Sequence, residues 1–194
     1  MAKLLICIDM QNDFIDGVFK NEDAKAAIPN IIKLIRDHDG EIVATHDTHF
    51  NKLEVDTDWP PAGYAVVYED TLEGKAGVPM HCHKLTDGYT IESNILAAMQ
   101  EKNSNGKIKF HGIDKYSYGW CDWKETLAGY EFDEIILAGF YTDQAVLANA
   151  AILRSAYPEM KISVKADCCA GTSREAQESV LKVLEGLGMT ILRP

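Results

Sequence analysis

Residues 4–14 read LLICIDMQNDF, a run of five apolar residues followed directly by Asp9 and a polar turn. Similar short runs rich in Ile, Val and Leu recur along the chain and alternate with longer amphipathic stretches. The six predicted strands are Leu4–Ile8, Glu41–Thr45, Lys107–Phe110, Glu134–Ala138, Lys161–Lys165 and Met189–Leu192. Because these runs lack a polar alternate face, both faces of their sheet must be covered, as in parallel sheets flanked by helices. The sequence predicts an α/β fold.

Four stretches between these runs predict helices. Ile28, Ile31, Ile32 and Ile35 repeat with helical spacing, in a segment with Pro29 near its first turn and Asp39-Gly40 at its end. The other predicted helices are Ile91–Gln100, Asp143–Ala156, and a helix toward Leu187 that Thr172 and Glu175 open as a capping box. Residues 49–90 show little periodicity, and an irregular stretch of this length inside a compact domain is usually functional.

Composition narrows the class of protein. A chain of 194 residues is predicted to form one domain over residues 1–194. The net charge of -11 argues against a nucleic-acid partner. No apolar run is long enough for a signal-peptide core or a membrane span, and five cysteines are an odd number that suits free thiols, so a cytoplasmic protein with no membrane partner is expected.

Polar residues follow four of the predicted strands. These strand ends are Asp9–Phe14, His46–His49, Asp114-Lys115 and Gly139–Asp143. In open α/β sheets, ligands bind at the carboxyl ends of the strands. The four segments are therefore predicted to converge on one site.

Asp9 is a candidate general base. Its place directly after five apolar residues predicts partial desolvation, which raises the pKa of a carboxyl group and suits it to proton transfer. The alternative is a carboxylate that caps the following turn. Position in the sequence does not decide between them.

Asp47, His49 and His81 are candidate ligands of a divalent metal. Asp47 and His49 lie two residues apart and so point to the same side of an extended segment. Two imidazoles and one carboxylate with open positions describe a catalytic site for Zn²⁺, Fe²⁺ or Mn²⁺. His46 and His83 compete as ligands, and the alternative is that the histidines are surface or capping residues.

Several of these segments resemble motifs of the isochorismatase-like cysteine hydrolases, and most closely those of nicotinamidases. Residues 9–14 resemble D-x-Q-N-D-F, residues 47–49 D-x-H, residues 78–82 W-P-x-H-C, residues 86–88 T-x-G, and residues 139–146 the nucleophile loop G-x-x-T-D-x-C-V; Lys115 matches the lysine of the family. The motifs occur in the expected order over most of the chain. The resemblance implies a three-layer sandwich with a central, mainly parallel six-stranded sheet, and a homo-oligomer.

The resemblance also implies roles. Asp9 would take a proton from the cysteine thiol at position 145 and return it to the leaving amine, and Lys115 would lower the pKa of that thiol. A cis peptide is expected between Phe140 and Tyr141, with the backbone N–H groups of Tyr141 and residue 145 forming an oxyanion hole. Asp47, His49 and His81 would hold the metal, with Zn²⁺ the first choice. The substrate would be a small carboxamide, nicotinamide first, contacted by Phe14, Tyr141 and Trp120.

The sequence departs from the family at the centre of this chemistry, because residue 145 is alanine. Without a sulfur atom there, no thioester can form, and the chain is expected to be inactive. The two possible origins are natural loss of catalysis and deliberate replacement of the cysteine; the retained Asp9, Lys115 and metal-ligand candidates favour replacement. Cys82 and Cys121 are weak substitutes for the nucleophile.

Val78 is a second departure, since many nicotinamidases carry a ring-stacking tryptophan at its position. Trp59, Tyr118, Trp120 and Trp123 are candidates for a replacement aromatic wall. The competing readings are a relative acting on N-carbamoyl or ureido compounds, a vinyl-ether hydrolase of the isochorismatase kind, and a pseudoenzyme that binds a pyridine compound. The leading hypothesis is a nicotinamidase-like amidase disabled at residue 145.

Overall fold

A single parallel sheet organises the residues that the computed structural model describes, which are 2–51, 67–104 and 110–194. Its strands are β1 Lys3–Ile8, β2 Gly40–Asp47, β3 Phe110–Lys115, β4 Glu134–Phe140, β5 Lys161–Ala170 and β6 Thr190–Leu192. They lie in the order β3-β2-β1-β4-β5-β6, and each neighbouring pair is parallel. The predicted α/β fold with six strands is confirmed.

The third strand lies later in the chain than predicted. The prediction Lys107–Phe110 overlaps β3 only at Phe110, and residues 107–109 lie outside the described residues. β3 extends to Lys115 because it pairs with β2 along its whole length, from Ile42 opposite Phe110 to Asp47 opposite Lys115. Strand pairing thus outweighs the polar character of the His-Gly-Ile-Asp-Lys sequence, since β propensity depends on context.

Helices connect the strands. They are α1 Glu22–Asp37, α2 Leu72–Lys75, α3 Ser93–Ser104, α4 Trp123–Thr126, α5 Leu147–Ala156 and α6 Arg174–Gly186, with short 3₁₀ turns at Asn12–Phe14 and Tyr68–Asp70 and a π-helical turn at Thr142–Val146. Within the three described ranges, no helix has the length and apolar character that crossing a membrane requires.

Two predicted helix starts and one predicted helix end are corrected. Helix α1 begins earlier than predicted, since the side chain of Asn21 caps it by accepting from the N–H of Ala24 at 2.9 Å, and this leaves Pro29 inside the helix. Its C-cap is His38, whereas Gly40 opens β2. Helix α6 is capped by Ser173 and not by Thr172.

The sheet separates two hydrophobic cores. Alternate residues of β1 point to opposite faces: Leu5 and Cys7 join the core beneath α1 and α3, whereas Leu4, Ile6 and Ile8 join the core beneath α5 and α6. All five side chains are buried. This two-sided burial is why the strands have no polar alternate face.

The strand order reverses between β1 and β4. Crossovers lead from β1 outward to β2 and β3, and the chain then returns to β4 on the other side of β1. In doubly wound sheets, ligands bind at the carboxyl ends of the strands beside such a switch point. Asp9 follows β1 and Tyr141 follows β4, so these two residues lie at the expected position.

Candidate active site

Asp9 is buried at the carboxyl end of β1, where its side chain is bonded to two neighbouring strands. The hydroxyl of Thr45 on β2 donates to Oδ1 at 2.6 Å, and Nζ of Lys115 on β3 lies 2.6 Å from Oδ2. The backbone of Asp9 is in the left-handed region, with φ of 49°. Burial raises the pKa of Asp9 to about 6, although Lys115 opposes the shift. These contacts favour the general-base interpretation over a turn cap.

Lys115 is the cation of the site. Its side chain is 1% exposed, and Nζ contacts Asp9, the carbonyl of Ser117 at 3.0 Å and Oδ1 of Asp47 at 3.5 Å. Burial by itself lowers the pKa of a lysine, but the two carboxylates more than offset this, so the pKa of Lys115 lies above its usual value. Lys115 therefore stays charged between two acids.

Asp47, His49 and His81 form a compact group of potential ligands. Oδ2 of Asp47 lies 3.1 Å from Nε2 of His49 and 3.2 Å from Nε2 of His81. One ligand atom from each residue lies within 4.8 Å of the other two, and all three residues are buried. Nδ1 of His81 lies 3.0 Å from the carbonyl of Pro79, a partner that fixes the proton on Nδ1 and leaves Nε2 free to bind a metal. The donor set fits a divalent cation such as Zn²⁺.

The competing histidines lie elsewhere. The ring of His46 stacks on Tyr89 with 5.2 Å between centroids, and Nε2 of His83 lies 3.4 Å from the amide nitrogen of Asn51. Within the described part of the chain, the geometry groups His49 and His81 with Asp47 and leaves these two out.

Two residues of the 9–14 segment hold the site together without lining it. The side-chain amide of Gln11 donates to the carbonyls of Asp47 and Tyr89, both at 2.8 Å, and its oxygen accepts from the N–H of Asp47 at 2.8 Å. Asp13 accepts from the N–H of Cys82 at 2.7 Å. A Cβ atom on Gly88 would lie 2.2 Å from Asp13 Oδ2, which explains a glycine at that position.

The turn after β4 brings residue 145 to the site. The peptide bond between Phe140 and Tyr141 is cis, as predicted. The hydroxyl of Tyr141 lies within 3.0 Å of the carbonyls of Phe14 and Phe19, and this anchors the turn to the loop after β1. The side-chain hydroxyl of Thr172 donates to Oδ2 of Asp143, and this contact explains why Thr172 does not cap α6.

One cavity of about 290 Å³ brings most of the predicted site residues together. Asp9, Phe14, Asp47, Val78, His81, Lys115, Tyr141 and Ala145 line it, as do Phe19, Glu73, Tyr118, Phe140, Gln144 and Thr172. His49 lines an adjoining cavity that shares Asp47 with this one. Sequence reasoning missed Phe19 and Glu73, because neither belongs to a periodic pattern or to a motif that was identified.

The tryptophans have other positions. Trp120 is absent from the lining of this cavity; its indole N–H donates to Thr126 at 2.7 Å, and its ring packs against the core beneath α5 and α6. Trp123 is fully buried and donates to Asn149 at 3.1 Å. These positions do not favour the predicted substrate contact of Trp120, and Trp59 lies outside the described residues. Of the aromatic candidates, Tyr118 does line the cavity, and Phe19 adds aromatic surface with its ring centroid 4.7 Å from that of His81.

Neither alternative cysteine is placed to act as the nucleophile. Cys82 is fully buried, and burial raises the pKa of its thiol well above the usual value. Cys121 is exposed and is absent from the lining of the cavity. Among the described residues that line the cavity, none carries a thiol.

Comparison with known proteins gives a consistent result. Residues 3–81 match the family model of the isochorismatase domain. No curated protein matches the chain. The pyrazinamidase/nicotinamidase of Streptococcus mutans is 26% identical, with a TM-score of 0.76 over 98% of this chain and 100% of that chain. Bacillus subtilis nicotinamidase is 21% identical, with a TM-score of 0.75 over 98% of this chain and 99% of that chain. Pyrococcus horikoshii pyrazinamidase in complex with zinc is 22% identical, with a TM-score of 0.69 over 100% of both chains.

Proposed function

We propose that the chain belongs to the isochorismatase-like hydrolase superfamily, whose family model matches residues 3–81, and that within it the chain is a nicotinamidase-like amidase disabled at position 145. One observation carries the proposal. A buried acid and a buried lysine, Asp9 and Lys115, line the same cavity as Ala145, which stands where the resemblance implies a cysteine nucleophile.

The proposed chemistry with a cysteine at position 145 runs through the side chains of this cavity. Asp9 takes the thiol proton, the sulfur attacks the carboxamide carbon, and the C–N bond breaks as Asp9 returns the proton to the leaving amine. Water then hydrolyses the thioester to the acid. Lys115 stabilises the thiolate, and the backbone N–H groups of Tyr141 and residue 145 stabilise the negative oxygen.

Asp47, His49 and His81 are proposed to hold a divalent metal, with Zn²⁺ the first choice. When bound, the metal supplies a Lewis acid for a ring nitrogen of the substrate or for a water molecule. The protein orients its ligands: Asp47 turns Oδ2 toward the histidines and Oδ1 toward Lys115. The carboxylate of Asp47 therefore connects the proposed metal site to Lys115, which in turn contacts Asp9.

The proposed substrate is a small aromatic carboxamide, with nicotinamide first. The rings of Phe14 and Tyr141 lie edge to face with centroids 5.3 Å apart, and Phe19 lies parallel to Phe14 at 6.1 Å. This aromatic surface supports binding of a flat ring. Val78 lines the same cavity, where a tryptophan would leave less room.

The test is ammonia release from nicotinamide with Zn²⁺ or Mn²⁺ supplied. We expect turnover by the Ala145→Cys variant and none by the chain as it stands. An Ala151→Cys variant is the matched control, because it adds a thiol to α5 away from the cavity. A folded, metal-loaded Ala145→Cys variant that releases no ammonia would contradict the proposal.

A second candidate function is binding without turnover, and Ala145 itself favours it. Titration calorimetry of the metal-loaded chain with nicotinamide tests this candidate. Binding by the chain together with inactivity of Ala145→Cys would favour the pseudoenzyme, and no binding would remove it.

A further inference from the structure

Glu73 and Tyr118 join two loops across the candidate active site. Glu73 belongs to the short helix α2, and Tyr118 lies in the loop after β3. The Tyr118 hydroxyl donates to Oε1 of Glu73 at 2.5 Å, while Oε2 of Glu73 lies 3.8 Å from Nε2 of His49. One carboxylate thus reaches from the predicted metal ligands to the loop that follows Lys115.

This pair stands between two cavities. Glu73, Tyr118 and Asp47 line both the catalytic cavity of about 290 Å³ and an adjoining cavity of about 410 Å³. The bond between Glu73 and Tyr118 therefore forms part of the wall that separates them.

The second cavity has acidic and aromatic walls. Its described lining includes the carboxylates of Asp70 and Glu73, together with Asp47, which is one of the proposed metal ligands, and contains neither lysine nor arginine. Phe50 and Tyr116 add aromatic surface to it, with their rings 5.9 Å apart. A carboxylate-lined space repels an anionic substituent and attracts a cationic one, and aromatic faces add to the attraction.

We infer that the Glu73–Tyr118 pair determines substrate specificity. While the pair is bonded, the catalytic cavity accepts a single-ring carboxamide; when the pair separates, a ring substituent enters the second cavity. Glu73 selects substituents that are cationic or donate hydrogen bonds over anionic ones. The inference rests on the proposed function, since it takes a ring carboxamide as the substrate class.

The test is titration calorimetry on the metal-loaded chain with nicotinamide and two derivatives that carry an aminomethyl or a carboxylate group on the ring. Glu73→Gln should reduce the preference for the cationic over the anionic derivative at least about tenfold, because it removes a charge at close range. Tyr118→Phe should improve binding of the aminomethyl derivative relative to nicotinamide several-fold. Tyr130→Phe is the matched control, because Tyr130 lines neither cavity, and it should change neither ratio.

An unchanged preference in Glu73→Gln would overturn the inference. Loss of bound metal in Glu73→Gln but not in Tyr118→Phe would also overturn it, because that result would assign Glu73 to the metal site. Failure of all three compounds to bind would overturn it as well. Turnover by Ala145→Cys is measured separately. If that variant is inactive while the shifts in preference occur, the proposed function fails and the specificity role stands; if it is active without such shifts, only the specificity role fails.

Discussion

One side of the candidate site carries buried charged groups, whereas the other side carries a methyl group. The ends of β1, β2 and β3 hold Asp9, Asp47 and Lys115 as a buried network of three charges. The turn after β4 presents a methyl group at Ala145. Burying charges costs several kcal/mol per ion unless they are paired, whereas an alanine in an apolar wall costs little. The charged side therefore carries the stronger sign of a chemical role, whereas the methyl group of Ala145 offers no reactive atom.

The largest effect is expected at Asp9. In the Ala145→Cys background, Asp9→Asn should reduce the rate of ammonia release about 10²–10⁴-fold, since the amide cannot accept the thiol proton. The measurement is initial rate at saturating nicotinamide. Asp16→Asn is the control, because Asp16 pairs with Lys25 on the surface and should leave the rate unchanged. Equal rates with and without the Asp9 carboxylate would show that the charged side does not carry the proton transfer.

The next effect concerns stability. Lys115→Met removes the cation between two buried carboxylates and should lower the free energy of unfolding by about 3–5 kcal/mol. Lys161→Met removes a 60% exposed lysine that pairs with Glu134 at 3.1 Å, and it should cost less than about 1 kcal/mol. Urea denaturation of both variants measures the difference. Similar losses in the two variants would mean that Lys115 in the buried network contributes no more to the free energy of unfolding than a lysine in an exposed ion pair.

The next prediction is that Zn²⁺ affinity depends on His81 and not on His83. His81→Ala should weaken Zn²⁺ binding by at least about 100-fold, because it removes a proposed ligand and not only an outer contact. His83→Ala should leave the affinity unchanged, since His83 lies outside the group formed with Asp47. Competition with a chromogenic chelator reports both affinities. A larger loss in His83→Ala would reverse the assignment.

The smallest effect is expected at Thr45. Thr45→Val keeps the shape but removes the hydrogen bond to Asp9, and it should lower the free energy of unfolding by about 1 kcal/mol. In the Ala145→Cys background, the same change should reduce ammonia release less than Asp9→Asn does. Thermal unfolding measures the change in stability, and initial rates measure the change in ammonia release. A loss of rate as large as that of Asp9→Asn would contradict this prediction and would make the Thr45 hydroxyl as important for turnover as the Asp9 carboxylate.

Much of the site was predictable because it depends on strand ends. Asp9, Asp47 and Lys115 are each next to an apolar run or within a recognisable motif, and parallel strands bring their carboxyl ends to one edge. The contribution of Glu73 was not predictable, since it depends on how a loop of irregular sequence folds back over His49. Trp120 illustrates the converse, since it is partly buried, packs against the core beneath α5 and α6, and is absent from the lining of the cavity.

By itself, the sequence determined the fold class, the candidate acid and base, and the absence of a sulfur atom at residue 145, because these depend on residue type and on local periodicity. Only the tertiary structure decided which histidines meet Asp47, how far β3 extends, and that Glu73 and Tyr118 separate two cavities. Those outcomes depend on contacts between residues far apart in the chain, and such contacts form only when strand pairing and loop packing bring the segments together.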